Sequence, residues 1–213
     1  MSENGLPRFG VLVPVKPAQV AKSRLAPLGD VVRRELVSAL AEDTVRAALA
    51  SPLVATVLVV TDDHRLAATL DPVGADVLPD GAAELNASLV EAAAELRRRT
   101  PGVAVAALCA DLPALDPEDL TAALSAAAGH EGAFVADATG SGTTLVTARG
   151  DAPLRPRFGA GSRDAHVAAG LHEIREIDVP TLRRDVDTPA DLRDATSLGL
   201  GPSTADVVAR HRL

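Results

Sequence analysis

The sequence predicts an α/β protein built on a mostly parallel, mixed sheet with helices on both faces. Three observations predict it. Strand-like runs alternate with amphipathic helical stretches along the 213 residues. The strand runs are nearly unbroken Val, Leu and Ala, as expected of strands covered on both sides. Apolar residues make up 47% of the chain, with no internal repeat and no low-complexity linker, so residues 1–213 read as one packed domain.

Each element has its own warrant. FGVLVPV, 9–15, reads as a strand running into a loop. Residues 30–50 carry apolar positions three and four apart and read as a helix. LVATVLVVTDD, 53–63, is a second strand, acidic at its C-terminal end. A short helix over 64–71, a short strand over 75–79 and a helix over 85–99 follow. VAVAALCADLPAL, 103–115, is a buried central strand leading into a turn. The helix over 117–128 has Pro117 in its first turn, where no N–H is missed. GAFVAD and TTLVTA are strands around a turn at 140–142. A helix over 162–171, a strand over 173–179 and a capped helix over 188–199 complete the pattern. The last dozen residues read as a tail or short helix.

Composition excludes several functions. Net charge is −8, against a nonspecific nucleic-acid binder or a protein of anionic membranes. There is no Trp or Tyr, and only Phe9, Phe134 and Phe158 could stack a base. No apolar run approaches the ~20 residues of a membrane span. The first residues do not resemble a signal peptide, and the single Cys109 allows no internal disulfide. A soluble cytoplasmic protein is expected. The histidines 64, 130, 166, 172 and 211 show no metal-ligand spacing and read as surface or packing residues.

In doubly wound sheets, ligands bind beyond the carboxyl ends of the strands. Four stretches lie there. VPVKPAQVAKSRL, 13–25, holds Lys16 and Lys22, the chain's only lysines, with Arg24 beside them. Lysine is a movable point charge suited to phosphate oxygens. A solvated basic loop is the plainer account, but this one interrupts a net acidic chain. It has neither the Walker nor the dinucleotide glycine pattern. In CADLPAL, 109–115, Asp111 follows the most apolar strand. Asp116 fits the cap of the next helix, so Asp111 calls for another explanation, and a strand-end carboxylate opposite cations suits Mg²⁺. In RRDVDTPADL, 183–192, Thr188, Pro189 and Asp191 form a helix start. Asp185 and Asp187 are not explained by it. Pairing with Arg183 or Arg184 is the plain account, and a second metal ligand at Asp187 the functional one. GSGTT, 140–144, and RFGAGSRDA, 157–165, are small-residue turns. Ser162 would cap a helix whose N-terminus, with Arg157 and Arg163, could hold an anion.

VPVKPAQVAKSRL, CADLPAL, GSGTT, RFGAGSRDAH and DVDTPADL, in that order, resemble the 2-phospho-L-lactate and phosphoenolpyruvate guanylyltransferases of coenzyme F-420 biosynthesis. The resemblance spans residue 9 to about 195. K-P-x-x-x-A-K-S-R-L is its most specific element. D-x-D-T-P-x-D-L is shared with other nucleotidyltransferases, such as those of molybdenum cofactor synthesis. The resemblance implies a Rossmann-like nucleotidyltransferase fold of the GT-A-like kind. It implies that the phosphate of phosphoenolpyruvate, or of 2-phospho-L-lactate, attacks the α-phosphorus of GTP and that pyrophosphate leaves. Lys16, Lys22 and Arg24 would hold the triphosphate, and Asp111 and Asp187 would hold Mg²⁺. Thr144, Gly159 and Ser162 would bind the phosphorylated acid, with Asn86 at the nucleotide. The product would pass to a downstream transferase.

Two other readings compete. One is a nucleotidyltransferase acting on a sugar phosphate or a pterin cofactor. The missing glycines after the first strand disfavour it. The other is a non-catalytic nucleotide-binding domain, which would have no need of both Asp111 and Asp187.

Overall fold

Seven strands form one sheet in the order β3–β2–β1–β4–β6–β5–β7 in the computed structural model, which describes residues 5–16, 23–82 and 84–213. They are β1 Phe9–Pro14, β2 Val54–Val60, β3 Asp76–Leu78, β4 Ala104–Leu108, β5 Gly132–Ala136, β6 Thr143–Ala148 and β7 His172–Glu173. β6 alone runs antiparallel, against β4 on one side and β5 on the other. The other neighbouring pairs are parallel. The expected mostly parallel, mixed sheet is therefore present.

Eight α-helices accompany it among the described residues: α1 Asp30–Ala50, α2 His64–Leu70, α3 Leu85–Arg99, α4 Pro117–Ala127, α5 Ser162–Ala168, α6 Pro180–Arg183, α7 Pro189–Leu198 and α8 Pro202–His211. Successive strand residues face opposite sides, so β1 feeds two cores. Val11 and Val13 pack with Ala41 and Val45 of α1 and with Leu120 and Leu124 of α4. Leu12 packs with Leu89 and Leu96 of α3 on the other face. Gly10 lies on that second face, and a Cβ there would sit 2.4 Å from Leu96 Cδ2. The glycine lets α3 approach the sheet closely. A third cluster joins the outer side of α1 to α7 and α8 through Leu36, Leu40, Leu192 and Val207. No helix among the described residues is long and apolar enough to cross a membrane.

Two expected elements differ. The strand over 173–179 shrinks to β7. Ile174 N still donates to Phe134 O at 2.9 Å, but Arg175 N donates to Glu176 Oε2 at 2.9 Å instead of to a neighbouring strand. A local side-chain acceptor thus competes with the ladder, and Pro180 then opens α6. The helix over 162–171 ends at Ala168, just before Gly170, whose φ is +78°. The C-terminal residues form a docked helix: Asp43 of α1 is buried and accepts Ser203 N at 3.1 Å and Thr204 N at 2.7 Å. One carboxylate therefore satisfies two opening amides of α8.

Replacing Asp43 with Ala leaves those amides unpaired. It should lower unfolding free energy by about 1–2 kcal/mol, the usual worth of a lost cap. Urea titration of the two proteins checks this, and equal midpoints would mean that α8 docks without its cap.

Candidate active site

β4 is Ala, Val and Leu throughout and is wholly buried, so the first polar groups beyond it are displayed at the sheet edge. The loop that follows, carrying Asp111, is held from α1. Thr44 is buried, and its hydroxyl accepts Leu112 N at 3.0 Å. The same oxygen lies 2.8 Å from Leu40 O and 3.2 Å from Ala110 O, the acceptors for its one proton. Asp111 O in turn accepts Val186 N at 3.0 Å. That bond brings the two expected metal ligands, Asp111 and Asp187, onto adjoining backbone.

Asp187 stands just before α7. Thr188 and Asp191 form a capping box, as the sequence predicts, with Asp191 N to Thr188 Oγ1 at 3.2 Å and Thr188 N to Asp191 Oδ2 at 2.7 Å. Asp116 caps α4 through Glu118 N at 2.8 Å. Neither capping carboxylate is Asp111 or Asp187. Arg183 donates to Ala136 O and Ile174 O, and Arg184 pairs with Asp191 and Asp194. Among the described residues, Arg24 stands 3.8 Å from Asp187, on a short 3₁₀ turn over Ser23–Leu28.

Lys16 leaves the end of β1 and pairs with Asp80 at 3.0 Å. Asp80 was not expected in this role, although its place just past β3 puts it on the same sheet edge. Burial, the largest influence, pushes its carboxyl up. Hydrogen bonds to Ser88 and Lys16, together with the lysine charge, outweigh that and hold it below the ordinary value. Lys22 lies outside the described residues. Lys16 and Asp111 line one cleft of about 280 Å³ with Pro14, Leu85, Cys109 and Phe158.

The second half of the site adjoins this cleft. Thr144 is buried, and its carbonyl accepts Cys109 N at 2.9 Å. Among the described residues its hydroxyl has no hydrogen-bond partner. Arg163 N donates to Ser141 O at 3.2 Å, so the turn of GSGTT meets the start of α5. Ser162 is buried at that start, and Gly159 has φ +136°. The guanidinium of Arg163, expected beside an anion, pairs with Glu173 at 2.9 Å. Asn86, expected at the nucleotide, holds a neighbouring loop. Its amide donates to Phe158 O at 3.1 Å and accepts Phe158 N at 2.9 Å, pinning the loop before Gly159.

His166 is a packing residue, as expected, but with a specific pattern. It is fully buried, stacked on Phe134 at 5.3 Å and edge-on to Phe158 at 5.7 Å. Nε2 accepts Arg157 N at 2.8 Å. Burial pushes its pKa down from 6.5 to about 4. Sequence gave one clue to it: His166 lies four residues after Ser162 and hence on the same helix face.

Comparison with known proteins now identifies the family. The family model described as guanylyl transferase CofC-like matches residues 9–208. The chain belongs to the CofC-like guanylyl transferase family. A Thermomonospora curvata protein named phosphoenolpyruvate guanylyltransferase is 49% identical over 203 residues, covering 95% of this chain and 89% of that one. One of the same name from Streptomyces coelicolor is 50% identical over 205 residues, covering 95% and 97%. A solved Desulfovibrio desulfuricans protein, described as a nucleotide-diphospho-sugar transferase, superposes with TM-score 0.72. It is 18% identical, with 100% of this chain and 96% of that one covered. The nucleotidyltransferase fold implied by the motifs is therefore the fold observed. A Mycobacterium tuberculosis protein solved with manganese shares that fold at TM-score 0.51 and 19% identity, covering 90% and 99%. This family member is thus an enzyme of nucleotidyl transfer.

Two outcomes follow from this geometry. Thr44→Val keeps the side-chain shape but strands Leu112 N, and should lower stability by about 1–3 kcal/mol. It should also reduce turnover, through the displaced Asp111. Denaturant titration alongside kinetics checks both, and full activity would show that the loop holds its place without Thr44. Second, unfolded His166 takes a proton near 6.5 and folded His166 only near about 4. Between those values the unfolded chain binds more protons, so stability falls as pH drops through that window. His166→Phe should lose less stability over the same window in urea titrations at stepped pH, and an equal loss would refute the assignment.

Proposed function

We propose that the protein transfers GMP from GTP to the phosphate of phosphoenolpyruvate and releases pyrophosphate. An oxygen of the acceptor phosphate forms the new bond to the α-phosphorus, and the bond from that phosphorus to the β-phosphate oxygen breaks. The observation that carries the reading is the hydrogen bond from Val186 N to Asp111 O, which brings the backbone next to Asp187 against Asp111, itself a lining residue of the cleft that holds Lys16. The shared name of relatives at 49% and 50% identity supports phosphoenolpyruvate over 2-phospho-L-lactate as acceptor.

In this reading Lys16, Lys22 and Arg24 hold the triphosphate. Thr144, Gly159 and Ser162 hold the acceptor, and Asn86 keeps their loop in place beside the nucleotide. Asp111 and Asp187 fit Mg²⁺: one Asp111 oxygen is buried at the sheet edge, and Asp187 is half-exposed. No cluster of three or more His, Cys, Asp or Glu suited to a metal occurs among the described residues. Two carboxylates completed by substrate phosphates and water is the usual Mg²⁺ arrangement. When bound, the ion supplies charge neutralisation and alignment of the phosphates. The acceptor phosphate is already ionised, so no side chain has to remove a proton. Catalysis then rests on orientation and charge. We place the reaction in the cytoplasm, with a transferase consuming the product.

The test is pyrophosphate release from GTP with Mg²⁺, with phosphoenolpyruvate and 2-phospho-L-lactate supplied separately and the guanylylated acid identified by mass. Phosphoenolpyruvate should drive release. Silence with both acids, even with a downstream acceptor enzyme present, would overturn the reading. Asp111→Asn and Asp187→Asn should each cut turnover by at least about 100-fold, beyond the 10–100-fold typical of outer-shell changes at metal sites. Melting temperatures should stay near that of the parent. Near-normal rates in both variants would remove the metal assignment.

A further inference from the structure

We propose that His166 is the positioning residue of the acceptor pocket, holding Thr144, Gly159 and Ser162 in register through hydrogen bonds to Thr143 and the Arg157 amide. The inference rests on the assignment of those three residues to the acceptor and deepens it.

The argument begins with the ring nitrogens. A backbone N–H can only donate, so Nε2, 2.8 Å from Arg157 N, carries no proton. The proton of the neutral ring is then on Nδ1, which lies 3.0 Å from Thr143 Oγ1 and donates to it. One tautomer satisfies both contacts. Protonation would leave Nε2–H facing Arg157 N–H, donor against donor. The depressed pKa agrees, and keeps the ring in this form through the neutral range.

Three elements meet at this ring. α5 carries His166 itself and, one turn earlier on the same face, Ser162. β6 supplies Thr143, directly before Thr144. The 156–161 loop supplies Arg157, two residues before Gly159. That loop needs holding, because Gly159 and Gly161 have φ of +136° and +68°, and glycine visits many other conformations at little cost. Three of the four backbone polar groups of the two residues before Gly159 are fixed by side chains: Arg157 N by His166, and Phe158 N and O by Asn86. The ring is fixed in turn by Phe134 and Phe158, two of the three phenylalanines in the chain. Full burial keeps His166 away from the reacting atoms, so it acts through its neighbours and not by proton transfer.

The experiment uses the full chain with Mg²⁺, varying phosphoenolpyruvate and GTP separately in the parent, His166→Phe and His166→Gln. Phenylalanine keeps the ring stacking and removes both nitrogens. Glutamine places an amide oxygen near the Nε2 position. His166→Phe should raise KM for phosphoenolpyruvate at least about tenfold, the scale of a small misplacement in a binding site. KM for GTP should stay within about twofold, and His166→Gln should recover part of the loss. An unchanged acceptor KM in His166→Phe overturns the proposal. So does a parallel rise in both KM values that tracks a fall in folded protein, which marks a merely structural role. If His166→Phe does not fold, His166→Asn replaces it, since asparagine can reach Thr143 but not Arg157. If the parent turns over neither acid, the functional reading fails separately. Amide exchange then decides this inference: Arg157 N–H should exchange at least about tenfold faster in the variant, as expected for a lost hydrogen bond. Equal exchange overturns it.

Discussion

The hydrogen bond from Val186 N to Asp111 O, 3.0 Å long, makes one site out of two distant stretches of chain. Much of the surrounding structure keeps its two ends in place. On the Asp111 side, the Thr44 hydroxyl holds Leu112 N, and Gly201 N holds Pro113 O at 2.7 Å. On the Val186 side, Val186 is buried with Leu192 and Ala195 of α7 against Leu36 and Leu40 of α1. α1 therefore does more than cover the sheet. Its consecutive buried polar residues, Asp43 and Thr44, serve different segments: one caps α8 and the other anchors the aspartate loop. Buried polar groups are costly unless satisfied, so such a pair on a core helix marks a place where backbone must be held at a fixed position.

The two charge pairs at the site differ in exposure. Lys16 is paired with Asp80, whose side chain is largely buried, while Arg24 and Asp187 are both well exposed. An exposed pair contributes only about 0–1 kcal/mol, so in the proposed reaction a triphosphate would take over Arg24 at small cost. In a chain with net charge −8, cations at this edge of the sheet would, in the proposed reaction, favour the approach of a polyphosphate.

What the sequence revealed was local, and what it hid was not. Strand and helix were legible because apolar period and caps are written in neighbouring residues. Asp116 and Thr188 cap helices as their spacing predicts, and this is what singled out Asp111 and Asp187. Thr44, Asn86 and His166 act through side-chain-to-backbone bonds. Their partners lie as far as the 109–112 and 157–158 loops, and no periodicity records such a bond. The strand expected over 173–179 failed for a related reason. EIREIDV has the right alternation, but the Glu176 carboxylate takes the Arg175 amide and ends the ladder. The final helix was hidden because its start is secured by Asp43, far away in sequence, and not by a cap of its own.

The one buried, neutral histidine bears on the kind of catalysis this fold supports. An ionised phosphate nucleophile needs no base, and His166 is both enclosed and locked in one tautomer by its partners. Imidazole is used here for its two differently directed hydrogen bonds, one given and one received, which no aliphatic or phenyl side chain offers. A reaction driven by alignment depends on how rigidly its loops are held, and glycine-containing turns are the least rigid backbone available. Side chains from α3 and α5 clamp three backbone groups of Arg157 and Phe158, just before Gly159, and this supplies the stiffness that the glycines give up. In the proposed reaction the glycines would leave the backbone uncovered where the acceptor phosphate comes close. Flexible residues at that contact and fixed residues directly behind it would together meet a single requirement: short, well-aimed bonds to a small, highly charged acid.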